Sequence, residues 1–479
     1  MSLVKNVIDS LKWGLSFKVI TQILSWFVTI YVIRLLTPDD YGMLALVDMS
    51  MALFMMLGTL GIGGAIIKNQ AIQDNKIQAL LAILIIINVL LFLIVVSISS
   101  QLSIFFSQEG LRDALLLSSI LFLTMPYITI YSSLLARELK FKILESINFI
   151  TTIIQFTTNL ILAIYGFGFW SIIIGQLTGN ICTLIFLLFQ KKKILKPSFD
   201  FKDSLPLIID SKNNFFTAII WQVNEKIDRF LISKIVGNQI LGIYSMSNAL
   251  VEKPVSLAGS LIQTVGLASF SKLHHDKNKV GEYIVKSTSV MAIMVIPVFF
   301  GIASIAPDLV PFVLGKQWTD AVLPIQILSM VQIINMLKIN IGSALFAMGY
   351  AKRKIYHALV AFLIIALSWS IGLSFGFIEG CYSYLFGYFL WFLWHLIDSK
   401  TRLSINLQKY FYSLLLPLFI SMMMFLIVRF VDDNFFANTN VIIQLFIQIL
   451  VGFISYLSLL FIFNKKQMMF VKNLLLIKG

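Results

Sequence analysis

The chain is 479 residues long, 58% hydrophobic and only 13% charged, with a net charge of +14. An ordinary soluble domain carries roughly 25% charged residues, so a water-soluble globular protein is excluded. Stretches such as Ala79 to Ser97 and Met291 to Ile305 are apolar on every side, which also excludes the period-two alternation of an outer-membrane barrel. The expected class is an all-α membrane protein with many spans.

Apolar windows long enough to cross a bilayer, roughly 20 residues each, recur along the whole chain and predict fourteen spans. The first, 12–36, follows Lys5 and Lys12 and has no small-residue cleavage site, so it reads as a retained span. Five more follow at 42–67, 78–99, 113–136, 146–165 and 168–190, completing a predicted N-terminal lobe over 1–190. A lysine-rich cytoplasmic linker is predicted over 191–211. The windows 212–236, 239–263, 284–306, 322–349, 355–377 and 380–397 make a predicted C-terminal lobe over 212–397. Residues 398–479 hold the last two spans, 409–430 and 440–463, and a cytoplasmic tail.

The distribution of lysine and arginine tests this count, because a missed span would scramble which loops are basic. With the N-terminus inside, most of the 37 Lys and Arg fall in inner segments, while the outer loops hold only Arg112 and Lys316. Both termini are therefore expected in the cytoplasm. The basic excess is topological and does not call for a nucleic-acid partner.

Two pairs of segments suggest a duplicated architecture. Arg34-Leu-Leu-Thr-Pro-Asp-Asp-Tyr-Gly42 and Lys234-Ile-Val-Gly-Asn-Gln-Ile-Leu-Gly242 place a cation, two aliphatics and a glycine at equal spacing, 200 positions apart. Ala136-Arg137-Glu-Leu-Lys-Phe-Lys142 and Ala347-Met-Gly-Tyr-Ala-Lys-Arg353-Lys354 end the fourth and tenth spans alike. Six spans separate each pair, which is the signature of parallel repeats.

Signatures of catalysis are missing. The sequence has no G-x-x-x-x-G-K-[ST] loop, no HExxH and no spaced Cys/His set, so no catalytic residue, metal ligand or resident cofactor is assigned. Cys182 and Cys381 read as small packing residues. The histidines, His274, His275, His357 and His395, fall in inner loops or at span ends and read as solvated or interfacial. Ionisable residues inside spans remain, each costing roughly 2.5–3.5 kcal/mol to insert and so marking function by default. Lys18, Asn224, Lys226, Arg229, Lys253 and Lys338 are the candidate substrate-binding residues, because a cationic cavity calls for an anionic guest such as phosphate or pyrophosphate. Asp48, Glu225 and Asp228 are the candidate carboxylates for coupling to a proton or sodium ion. For Glu225 and Arg229, four apart on one helix face, an internal salt bridge competes with that reading. Lys18 and Lys338 have no obvious partner within a helical turn.

Several stretches together resemble one family. They are Arg34 to Gly42, Ala136 to Lys142, Asn224-Glu-Lys-Ile-Asp228 with Leu241-Gly-Ile-Tyr244, and Gly315-Lys-Gln-Trp318-Thr-Asp-Ala-Val322. The chain resembles the polysaccharide-transporter branch of the multidrug, oligosaccharidyl-lipid and polysaccharide exporter superfamily, the Wzx-type flippases. One stretch departs: where the family often has a proline and Ser-Arg-Leu, this chain has Leu267-Ala-Ser-Phe-Ser-Lys-Leu273. The resemblance implies two six-helix lobes around a central cavity plus two C-terminal helices. It implies export of undecaprenyl-pyrophosphate-linked oligosaccharide across the bacterial inner membrane by alternating access, with membrane lipids and a glycan polymerase of the same pathway as partners. A drug or metabolite antiporter of the same superfamily would want an acidic cavity. A membrane glycan polymerase would want a large outer domain, and the longest outer loop, about Ala306 to Ala321, leaves little room for one.

Overall fold

The computed structural model describes residues 20–22, 24–69, 72–190, 195–200, 212–273, 275–435 and 440–463, and the described secondary structure is all helical. Ten of the helices among the described residues are long and apolar enough to cross a membrane. The protein is therefore a multi-pass membrane protein. It forms two compact units, Met1–Gly242 and Ile243–Gly479.

The first unit begins with α1 (Ile20–Leu35). It continues with α2 (Pro38–Thr59), α3 (Ile62–Lys68), α4 (Asp74–Phe106), α5 (Glu109–Ser119), α6 (Leu121–Arg137), α7 (Phe141–Ile164), α8 (Trp170–Phe189) and α9 (Lys212–Ile235). The window predicted as one second span is two helices, because Leu60 and Gly61 both adopt positive φ at the break between α2 and α3. Glycine tolerates that conformation without the Cβ clash that disfavours it elsewhere.

Lipid tails are as apolar as leucine, so helices here associate through shape and through the few polar groups they carry. Ile66, Leu80, Leu81, Leu84, Ile130 and Leu134 interdigitate where α3, α4 and α6 meet, while side chains such as Leu90 and Leu93 on the other side of α4 stay exposed. Asn88 is the polar tie in this packing. It is fully buried, and its Nδ2 donates to the Gly58 carbonyl of α2 at 2.8 Å and to the Leu84 carbonyl at 2.9 Å.

The Thr-Pro-Asp-Asp-Tyr-Gly stretch is a helix start. Thr37 caps α2 with its Oγ1 accepting from the Asp40 amide at 3.2 Å, Asp40 Oδ2 accepts the Thr37 amide at 2.9 Å, and Pro38 takes the first helical position. This reciprocal arrangement is a capping box, with proline where a missing N–H costs nothing. The other Asp40 oxygen accepts the Phe169 amide at 2.9 Å, which ties this turn to the turn before α8.

The second unit is built from α10 (Asn238–Leu273), whose first residues lie in the first unit, α11 (Lys277–Val313), a 3-10 turn (Lys316–Ala321), α12 (Val322–Ala347), α13 (Ala351–Leu373), α14 (Phe377–Leu403), α15 (Leu407–Phe435) and α16 (Val441–Phe463). Helix α10 runs unbroken through Pro254. A single proline removes one backbone bond, and membrane helices absorb that loss through their neighbours. Asp276 caps α11, and the amides of Lys279 and Asn278 hold its carboxyl below the usual carboxylate range. Toward the other end of α11, Gln444 and Gln448 of α16 donate to both Asp308 and Asp432, joining α11, α15 and α16. Nearer the middle, Tyr456 Oη donates to the Ile293 carbonyl at 2.7 Å. Trp318 of the Gly-Lys-Gln-Trp stretch is fully buried, after a Gly315 with φ +109°, so that stretch is also a structural turn.

Candidate functional site

The two stretches related by 200 positions meet in the first unit, and their glycines make the meeting possible. A Cβ on Gly42 would lie 2.1 Å from the Asn238 carbonyl oxygen, and one on Gly242 would lie 1.8 Å from the Pro38 carbonyl oxygen. Pro38 and Asn238 hold equivalent positions in the two stretches, so each glycine faces the helix start of the other. Asn238 Nδ2 completes the contact by donating to the Asp39 carbonyl at 2.9 Å. Lys234, at the end of α9, is held by the Phe105 carbonyl at 2.8 Å and lies 4.0 Å over the Phe105 ring.

This clamp lays α9 alongside α2 and brings two of the sequence-predicted residues together. Lys226 Nζ donates to Asp48 Oδ2 at 2.5 Å. The lysine side chain is 18% exposed and the carboxylate side chain 63% exposed. A carboxylate that open within an apolar helix faces water rather than lipid, since an ion in hydrocarbon is too costly. Asp48 is therefore in reach of both an ammonium group and solvent. An open pair contributes little, so a double-mutant cycle with Asp48→Asn and Lys226→Gln is expected to give a coupling of at most about 1 kcal/mol in thermal unfolding. A value near 3 kcal/mol would identify the pair as a structural clamp.

The other α9 candidates take different environments. Asp228 is buried and its Oδ1 accepts the Arg229 amide at 2.7 Å. Arg229 Nη1 donates to the Glu225 carbonyl at 3.3 Å, a bond to the backbone along the same helix face that the four-residue spacing predicts. Asn224 is half-buried and Glu225 exposed. Lys18 lies outside the described residues.

Lys253 and Lys338 belong to the second unit. Lys253 is exposed on α10. Lys338, in the middle of α12, donates to Tyr388 Oη at 2.7 Å and lies 5.3 Å from the Tyr388 ring and 5.1 Å from the Trp391 ring. Tyr388 Oη donates in turn to Asn335 Oδ1 at 3.3 Å, and Asn335 Nδ2 to Gln332 Oε1 at 2.8 Å. Sequence reasoning finds no partner for Lys338 because its partners lie some fifty positions away, on α14. Hydroxyl and π-face partners orient an ammonium group without cancelling its charge.

One cluster escapes the sequence reading altogether. His357 of α13 and His395 of α14 are buried, not solvated or interfacial as their places at span ends suggest. Their rings are 4.4 Å apart, centre to centre, and nearly perpendicular. His357 Nε2 is 2.7 Å from Asp398 Oδ2, and Asp398 also accepts from Arg353 Nε at 2.9 Å and from Arg402 Nη1 at 3.0 Å. His395 stacks on Trp391, whose Nε1 donates to the His357 carbonyl at 3.2 Å. The signal in the sequence is the spacing Trp391, His395, Asp398, Arg402, which puts four functional side chains on one helix face.

Among the described residues no group of three or more His, Cys, Asp or Glu is placed to hold a metal ion. Cys381 is buried, Cys182 half-buried, and both are free thiols.

The sequence matches the family described as polysaccharide biosynthesis protein over residues 31–323. It is 24% identical to the teichuronic acid biosynthesis protein TuaB of Bacillus subtilis, covering 84% of each chain. It is also 24% identical to the lipopolysaccharide biosynthesis protein WzxC of Escherichia coli, covering 88% of this chain and 87% of that one. Among solved structures it is similar to the lipid II flippase MurJ in an inward closed conformation. That match has a TM-score of 0.75 and 17% identity, and covers 95% of this chain and 99% of that one. The fold is thus that of MurJ, and with the matched region spanning more than half of its length, the chain belongs to the polysaccharide biosynthesis protein family.

Proposed function

We propose that the protein is a flippase that carries undecaprenyl-pyrophosphate-linked oligosaccharide units from the inner to the outer face of a bacterial inner membrane. It works by alternating access between two six-helix lobes, 1–190 and 212–397, with two further C-terminal helices, fourteen spans in all and both termini in the cytoplasm. It is a transporter rather than an enzyme, and a polymerase of the same pathway consumes its product. The family membership and the flippase-like fold support this reading.

The observation that carries it is Lys338. An ammonium group well inside an apolar helix is retained only where it meets a partner or water, and here a phenol and an indole hold it in place while leaving its positive charge intact. A pyrophosphate headgroup is an anionic guest that an oriented ammonium group suits. Lys226, Arg229, Asn224 and Lys253, with Lys18 of the first predicted span, are the further donors to the headgroup and its sugars. Asp48 beside Lys226, with Glu225 and Asp228, is the place where a proton or sodium ion exchanges with the load.

Expression in a strain that lacks its own flippase is expected to restore surface glycan. Lys338→Ala is expected to lower that export at least tenfold, the equivalent of about 1.4 kcal/mol of headgroup binding, with Lys338→Arg recovering most of it. Full export by Lys338→Ala, at equal protein level, would remove the headgroup assignment.

A further inference from the structure

We infer that the His357–His395 pair, backed by Asp398, is a proton-binding site of the second unit. Three observations carry it. His395 is buried, and its Nδ1 has no hydrogen-bond partner among the described residues, so an imidazole nitrogen able to take or lose a proton is held without a fixed bond. Buried polar atoms are almost always paired, and an unpaired one on a titratable ring calls for an explanation such as a proton or ion that binds there. Second, His357 lies between that ring and a carboxylate, with Nε2 at 2.7 Å from Asp398 Oδ2. A proton arriving on the His357 ring makes an imidazolium that Asp398 stabilises directly.

Third, the cluster bridges two depths. Asp398 lies near the end of α14 that the positive-inside pattern puts at the inner face, together with Arg353 and Arg402. Lys338 lies about 13 Å along α12 from its end at Ala347, at 1.5 Å per residue. From α13 come Arg353 and His357, from α14 His395, Asp398 and Arg402, and from α12 Lys338. These charged and titratable groups face the pair, with the phenols of Tyr356 and Tyr388 beside them. Burial opposes the charged ring most, the two guanidinium groups and Lys338 oppose it further, and Asp398 favours it. An anion that neutralises Lys338 therefore raises the pair's affinity for a proton, and by linkage a proton on the pair raises the affinity for the anion. This last step rests on the headgroup reading of Lys338; the proton site itself does not.

The geometry supplies its own probe, because His395 stacks on Trp391 and His357 packs edge-on to Trp394. A protonated imidazole quenches indole emission. The full-length protein in lipid nanodiscs, taken from about pH 8 to about pH 4, through and below the range in which an exposed histidine titrates, is expected to lose tryptophan fluorescence. The loss is expected to be smaller in His395→Gln and absent when His357→Gln is added. Quenching of wild-type amplitude in the double variant, or none in the wild type, would overturn the site. Should the double variant fail to fold, ring-nitrogen NMR of the unmodified chain decides. Two of the four histidines must then titrate as a coupled pair, and two rings that stay neutral throughout would overturn the site. Repeating the titration with inorganic pyrophosphate is expected to shift the midpoint upward in the wild type and not in Lys338→Ala. A pair that titrates but ignores pyrophosphate would support the proton site and count against Lys338 as a headgroup contact.

Discussion

Replacing Gly242 with valine is expected to deplete the folded protein from the membrane, with a destabilisation of about 4 kcal/mol or more. The added Cβ meets the Pro38 carbonyl oxygen at 1.8 Å and the Gly42 amide nitrogen at 2.8 Å. Both atoms belong to the backbone of a capped helix start, so neither can rotate aside. Relief requires moving α2, which is held by the capping box at Thr37 and by the Asp40 bond to Phe169. Gly42→Val is expected to behave alike, against the Asn238 carbonyl. Gly301 is the control. Its Cβ would meet nothing within 4 Å, so Gly301→Ala is expected to be neutral or stabilising by up to about 1 kcal/mol through helix propensity. Thermal unfolding in detergent, read alongside membrane abundance, separates the two cases.

Asp398→Ala is the second substitution with a large expected effect. One carboxylate serves Arg353, Arg402 and His357, and its removal leaves two guanidinium groups and a buried imidazole facing each other. Loss of one partner of a buried pair costs about 3–5 kcal/mol. The arginine side chains keep about a third of their surface open to solvent, so about 2–4 kcal/mol is expected here after allowing for that screening. Asp398→Asn keeps two acceptor lone pairs and is expected to lose less. Equal thermal stability of Asp398→Ala and the wild type would show that the arginines find other partners.

How much of this was legible in the sequence depends on whether the relevant partner lies nearby along the chain. Spans such as α4, α7 and α16 coincide with apolar windows because a helix that crosses the bilayer needs about 20 predominantly apolar residues. The break at Leu60–Gly61 lies inside one apolar window, because all four residues that follow, Ile62 to Ala65, are small or apolar and a window average passes over it, although the glycines there allow a bend. The matching of Arg34 to Gly42 with Lys234 to Gly242 was visible as spacing, but its meaning, two glycines that admit each other's helix starts, needed coordinates. Asp48 and Lys226 both stand out in the sequence as charges within spans, yet nothing along the chain connects positions 178 apart. The burial of the histidines is not visible in the sequence for a related reason. A span end is solvated by default, and only the packing of α13 on α14 buries His357 and His395.

The central claim is that Lys338 meets the charged headgroup of the cargo. The direct measurement is translocation of a fluorescent undecaprenyl-pyrophosphate-linked oligosaccharide by the purified protein in vesicles, followed as protection from an external quencher. The wild type is expected to move this lipid, to be inhibited by inorganic pyrophosphate, and to leave an uncharged undecaprenyl lipid behind, while Lys338→Ala moves neither. Equal translocation of the charged and uncharged lipids, or wild-type rates in Lys338→Ala, would contradict the account.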